Sequence, residues 1–144
     1  MVLSEQLKTC LREISARLLG FEWLLIGSTN MLLQGMSLHP RDVDILMKRE
    51  DLVKAHQLFP EAEPITHLKP GVDEFTLVLN ACDVQVLGEE KNQPYRKIMA
   101  FENVMNMTVD DFFVHATPLD RELQAYRLLG RDEKAQMIEK FINQ

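Results

Sequence analysis

Trp23-Leu24-Leu25-Ile26 is an apolar run that Gly27-Ser28 cuts off, and a second apolar run soon follows with two acids inside it, Asp42-Val43-Asp44-Ile45-Leu46-Met47. Four apolar residues bounded by a glycine read as a strand buried on both faces. Ser28 is placed to cap a short helix through Met31, Leu32 and Leu33, with Gly35 as its terminator. Arg41 to Met47 then reads as extended. Side chains alternate across a strand, so Asp42 and Asp44 share a face. Strand, glycine turn, short helix, acidic strand: this order points to a mixed sheet flanked by helices.

The rest of the chain supplies that packing. Leu3, Leu7, Leu11, Ile14 and Leu18 recur at helical spacing, opposite Glu5, Lys8, Arg12 and Arg17, and Gly20 ends the helix. Leu52, Ala55, His56 and Phe59 predict a helix that Pro60 stops. Glu74–Leu79 and Cys82–Leu87 read as strands, and the brief Asn80-Ala81 link makes them a hairpin. Lys91 to Asp111 reads as an irregular loop, followed by a short strand near Phe112-Phe113-Val114. Thr117 is the expected cap and Pro118 the first position of a helix along Leu119, Leu123 and Tyr126, ended by Gly130. A last helix from Asp132 buries Ala135, Ile138 and Phe141 or Ile142. No repeat or linker divides residues 1–144, which predicts a single α/β (α+β) domain with a mixed sheet flanked by helices.

Composition narrows the function. With 22 acidic against 16 basic residues the formal charge is -6, the wrong sign for a protein that grips long nucleic acid. One small polyanion remains within reach of a local basic cluster. Apolar residues make up 46% of the chain, enough for a core. Cys10 and Cys82 form no metal-binding pattern and read as buried free thiols. Met1-Val2-Leu3-Ser4-Glu5 lacks a signal pattern, and no apolar run is long enough to span a bilayer. A cytoplasmic protein without membrane contact is expected.

The chemistry centres on two features. At Gly27-Ser28 a ligand can approach the backbone closely, beside helix amides and a hydroxyl that suit phosphate. Asp42 and Asp44 repel each other, and a hard divalent cation offsets that repulsion. Mg²⁺ characteristically takes one or two carboxylates together with substrate phosphates. The bland alternatives are an ordinary turn, and an acid pair that is solvated or bridged to Arg41 and Arg49. His39, His56, His67 and His115 show no metal spacing, and the eight methionines read as core.

Gly27-Ser28-Thr29-Asn30-Met31-Leu32-Leu33-Gln34-Gly35, followed by Pro40-Arg41-Asp42-Val43-Asp44-Ile45, resembles the signature of the DNA polymerase β-like nucleotidyltransferase superfamily. The nearest likeness is to its small bacterial and archaeal members of poorly defined function. It continues through Val84-Gln85-Val86-Leu87-Gly88 and into Thr117–Lys134. The resemblance implies Mg²⁺-dependent transfer of a nucleoside monophosphate from an NTP to a small molecule, protein or RNA. In that scheme Asp42 and Asp44 hold two Mg²⁺ ions, Gly27 and Ser28 position the terminal phosphates, and a third acid on a neighbouring strand completes the metal site. The chain is short, so acceptor recognition is expected from loops, a partner protein or homo-oligomerisation.

The third acid is the departure from that pattern. Its expected position, just before Val86-Leu87-Gly88, holds Gln85, which is no base and a poor Mg²⁺ ligand. Asp83 lies on the same face, one pleat or about 7 Å along the strand, and is the expected substitute. The alternative is a weakly active or inactive nucleotidyltransferase-like module that binds a nucleotide or a partner.

Overall fold

The computed structural model describes residues 3–99, 101 and 104–144. Seven strands make one mixed sheet: β1 (Trp23–Ile26), β2 (Asp42–Lys48), β3 (Thr66–Lys69), β4 (Val72–Leu79), β5 (Cys82–Glu89), β6 (Met105–Val109) and β7 (Phe112–Ala116). Their spatial order is β3-β4-β5-β2-β1-β7-β6. The central pair β1–β2 is antiparallel, while β2–β5 and β1–β7 are parallel. Among the described residues six α-helices flank the sheet: α1 (Glu5–Arg17), α2 (Gly27–Leu33), α3 (Leu52–His56), α4 (Pro94–Ile98), α5 (Leu119–Leu128) and α6 (Asp132–Ile142).

Strand alternation divides the core into two faces. Val43, Ile45 and Met47 of β2 join Val84 and Val86 of β5 against Leu7, Leu11 and Ile14 of α1. Each fully buried side chain of that layer contributes about 1.5–3 kcal/mol. Ser4 caps α1 by accepting from the Leu7 N–H at 3.1 Å. On the opposite face Leu46, Leu87 and Ile26 pack under Met99 and Ala125. Asp42, Asp44 and Gln85 belong to this second face, by the same alternation. A third cluster joins Met31 of α2 to Tyr126 of α5 and Ile138 of α6.

The mixed, helix-flanked sheet agrees with the expectation, as does the hairpin. Asn80 and Ala81 both take positive φ (52° and 65°), the geometry of a two-residue turn whose twist matches its strands. Several local expectations are corrected. Helix α2 begins at Gly27 and Ser28 does not cap it; Ile26 stands at the N-cap without a side-chain bond. Pro118, not Thr117, stands at the N-cap of α5. The stretch read as an irregular loop carries α4 and β6, with positions 100, 102 and 103 outside the described residues. Met1 and Val2 of the N-terminal reading also lie outside them. Strand β3 escaped the sequence reading because all four of its residues are exposed, so it has no apolar periodicity. Cys10 and Cys82 are buried and free.

Candidate functional site

Strand β1 ends at the second face of the sheet, and the chain turns into α2 at Gly27 with φ of 78°. That positive φ suits glycine, and the space is closed as well. A Cβ on Gly27 would stand 2.8 Å from Asp44 Oδ2. The turn and the acidic strand therefore touch, as Ile26 and Asp44 are register partners across β1 and β2. Thr29 Oγ1 donates to the Asp42 carbonyl at 2.6 Å and ties α2 to the start of the same strand.

The other side of α2 is held from the C-terminal half. Asn30 is fully buried. Its Nδ2 donates to the Thr117 carbonyl at 2.9 Å, and its Oδ1 accepts from the Thr117 N–H at 3.2 Å. Gln34 Nε2 donates to the same Thr117 carbonyl at 2.7 Å. Beside them lies Glu122, with no exposed surface. Its Oε2 accepts from the Gly27 N–H at 2.7 Å and from Asn30 Nδ2 at 3.4 Å, while Oε1 is buried without a partner. Burial pushes the Glu122 carboxyl up to about 7 against the pull of those donors.

Gly27, Ser28 and Asp44 open into a cleft of about 340 Å³ that is also lined by Gln85, Glu89, Tyr95, Tyr126, Arg131 and Lys134. The last two cations reach it through the turn after α5. Gly130, at φ of 73°, lets the Arg131 N–H return to the Tyr126 carbonyl at 2.8 Å and the Gly130 N–H to the Arg127 carbonyl at 3.2 Å, a Schellman closure. Arg131 and Lys134 then lie 6.0 and 5.6 Å from the Tyr126 ring centre. Neither forms an ion pair among the described residues. Asp44 is half-buried, and its carboxyl is raised first by desolvation and then by Asp42, with Lys134 and Arg131 pulling the other way.

On the far side of Asp44 a second groove, about 540 Å³, is lined by Asp42, Asp44, Asp83, Glu61 and Glu63. Parallel pairing of β2 with β5 sets Asp83 beside Asp42 and Gln85 beside Asp44. Asp83 thus shares the face of the acid pair but lines the open groove, whereas Gln85 reaches both spaces. Gln85 Nε2 donates to Glu74 Oε2 from β4. No three His, Cys, Asp or Glu side chains converge as a metal-binding group among the described residues. Arg49 pairs with Asp73 and Glu90 rather than with the acid pair, and Arg41 pairs with no carboxylate among the described residues.

The structure superposes on a provisionally assigned nucleotidyltransferase from Thermotoga maritima with a TM-score of 0.71, at 23% identity, over 99% of this chain and 96% of that one. The chain has a nucleotidyltransferase fold. Terminal uridylyl transferase 4 from Trypanosoma brucei aligns more loosely. Its structure with bound GTP gives a TM-score of 0.40 at 15% identity over 62% of this chain and 32% of that one. With bound CTP the score is 0.40 at 14% identity over 89% and 50%. No protein-family model and no curated protein sequence matches the chain.

Within this nucleotidyltransferase fold the sequence reading missed Glu122, Arg131 and Lys134. Glu122 had a signal: it sits at helical spacing among Leu119, Leu123 and Tyr126, an acid inside an apolar stripe. The two cations had none, because ordinary surface charges look the same in sequence.

Proposed function

We propose that the chain is a nucleotidyltransferase that moves a nucleoside monophosphate from an Mg²⁺-bound NTP to an acceptor, akin to the small bacterial and archaeal members that its motifs resemble. One observation carries the reading. Asp44 lines one cleft with Gly27-Ser28 and with Arg131 and Lys134, cations that form no ion pair among the described residues, while Asp42, beside Asp44 on the same face of β2, lines the adjoining groove. That is the charge layout a metal triphosphate requires, with carboxylates for the metal and cations for phosphates.

The donor set fits the metal. Asp42 and Asp44 are neighbouring hard oxygen ligands, and Asp44 is held half-buried near a like charge, which a cation would relieve. They form an open two-carboxylate site that phosphate oxygens would complete. When bound, Mg²⁺ neutralises triphosphate charge and stabilises the attacking and leaving oxygens. Ser28 offers its hydroxyl to a phosphate, while the Gly27 N–H is already engaged by Glu122. Asp83, beside Asp42 in the groove, is assigned as the third acid on the acceptor side, completing the site for a second ion. The acceptor, whether small molecule, protein or RNA, would enter by that groove, with a partner protein or second copy extending it.

A cytoplasmic location belongs to the same proposal; among the described residues no helix is long and apolar enough to cross a membrane. Calorimetry of NTP binding with Mg²⁺ and with EDTA tests the metal role, and label transfer from α-labelled NTP tests the chemistry. Equal binding under both conditions overturns the metal assignment. Gln85 favours a second reading, a nucleotide- or partner-binding module without transfer, because it places an amide directly across from Asp44.

A further inference from the structure

We propose that Glu122 is a positioning residue for this site, its buried carboxyl holding the Gly27 amide so that the Gly27–Ser28 turn stays seated on Asp44 with Ser28 facing the cleft. The inference rests on the nucleotidyl-transfer reading and adds a residue from a separate part of the chain.

The location of Glu122 argues against a packing role. It occupies the apolar stripe of α5, beside Leu119, Leu123 and Tyr126, where a leucine would fill space without the desolvation cost of a buried acid. Among the described residues it forms no salt bridge, so there it is not half of a buried ion pair. Its oxygen Oε2 accepts from the N–H of Gly27 at 2.7 Å, and Oε1 finds no hydrogen-bond partner among the described residues. An acid kept in such a place acts on what it touches, and it touches the glycine against which Asp44 rests.

The geometry gives that contact a purpose. Gly27 takes a positive φ, and its Cα side is closed by Asp44 Oδ2. No side-chain cap precedes it, since Ile26 stands at the N-cap without a side-chain hydrogen bond. Asn30, fastened to Thr117 on both sides of its amide, holds Glu122 Oε2 from the other direction. The chain from Thr117 through Asn30 and Glu122 to Gly27 thus connects the start of α5 to the turn. With the Gly27 N–H occupied, phosphate contact from this turn falls to Ser28, which lines the cleft and makes no side-chain hydrogen bond among the described residues.

The test compares wild type with Glu122→Leu and Glu122→Gln, using two readouts well below the melting temperature. The first is the Gly27 amide in ¹H–¹⁵N spectra, with its hydrogen-exchange rate. The second is affinity for each of the four common NTPs with Mg²⁺. Glu122→Leu should stay folded, expose the Gly27 amide to exchange, and weaken the best-bound NTP about tenfold or more. Glu122→Gln keeps an acceptor in place and should restore both readouts to near wild type. If Glu122→Leu does not fold, Glu122→Gln still decides: lost affinity with the Gly27 amide intact overturns the proposal. A Glu122→Leu protein that binds NTP like wild type overturns the positioning role alone. A wild type that binds no NTP overturns the nucleotidyl-transfer reading and the proposal with it, whatever the Gly27 amide shows.

Discussion

The Asp44 carboxylate occupies the space that a side chain on Gly27 would need, with Oδ2 2.8 Å from the Cβ position. The turn and the acidic strand are therefore one unit. Gly27→Ala meets both the positive φ and the carboxylate, so it should cost about 1–3 kcal/mol of stability. It should also displace Asp44 and weaken Mg²⁺-dependent NTP binding. Chemical denaturation with parallel calorimetry measures both, and an alanine variant of wild-type stability and affinity contradicts the contact.

Asp44→Asn should separate function from stability. The Asp44 carboxyl is raised in the fold by burial and by Asp42. A raised acid favours the folded state below its unfolded pKa, and that contribution is lost as pH rises. At neutral pH the ionised group opposes folding, so the amide should melt at the same temperature or higher without metal. NTP binding by the variant should no longer respond to Mg²⁺. A drop in melting temperature would show that the charge is compensated within the chain.

Glu122 gives the pH dependence a definite window. Its carboxyl moves from 4.5 to about 7 in the fold. The folded chain thus holds the proton more tightly than the unfolded one, and stability should fall as pH rises from about 4.5 through 7. The loss is bounded at about 3 kcal/mol. Glu50, held down to about 2 by Arg96, works in the opposite sense, but its contribution is complete above its unfolded value of 4.5. Glu122→Gln should flatten the fall between pH 5 and 7 in denaturation series run across this range, while a slope unchanged by the substitution assigns it to another group.

Much of this site is legible in sequence because it is local. Gly27-Ser28 and Asp42-x-Asp44 lie within one strand–helix–strand unit, where alternation and turn chemistry fix which side chains meet. Glu122 reaches the Gly27 amide and Lys134 reaches the cleft from helices far along the chain, placements that only the tertiary fold reveals. Strand β3 was illegible for another reason: an exposed edge needs no apolar residue, so its backbone pairing with β4 leaves no pattern. The capping errors at Ser28 and Thr117 share a cause. Both were read as helix caps; Ser28 instead lines the cleft, while Thr117 meets Asn30 through its backbone.

The pairing of β2 with β5 turns the question of the third acid into an experiment on two positions. Gln85 stands beside Asp44, and Asp83 beside Asp42, all on one face. If Asp83 serves the acceptor side, Asp83→Asn should remove transfer while nucleotide binding stays close to wild type. Asp83 is exposed, so the substitution should leave stability unchanged. Gln85→Glu then adds a carboxylate between Asp44 and Glu74, whose oxygen now accepts from the Gln85 amide. Without metal the new acid loses that bond and meets like charges, which should cost about 1–3 kcal/mol. Mg²⁺ should recover part of that loss, because the added oxygen is a metal ligand where the amide was a poor one. Transfer distinguishes the assignments. If position 85 is the acid position, wild type should be nearly inactive and Gln85→Glu should gain about 10² to 10⁴ in rate from α-labelled NTP to water or to the chain itself. If Asp83 fills the role, Gln85→Glu should gain nothing and Asp83→Asn should lose transfer alone. A large gain at position 85 moves the natural chain to the binding-module reading.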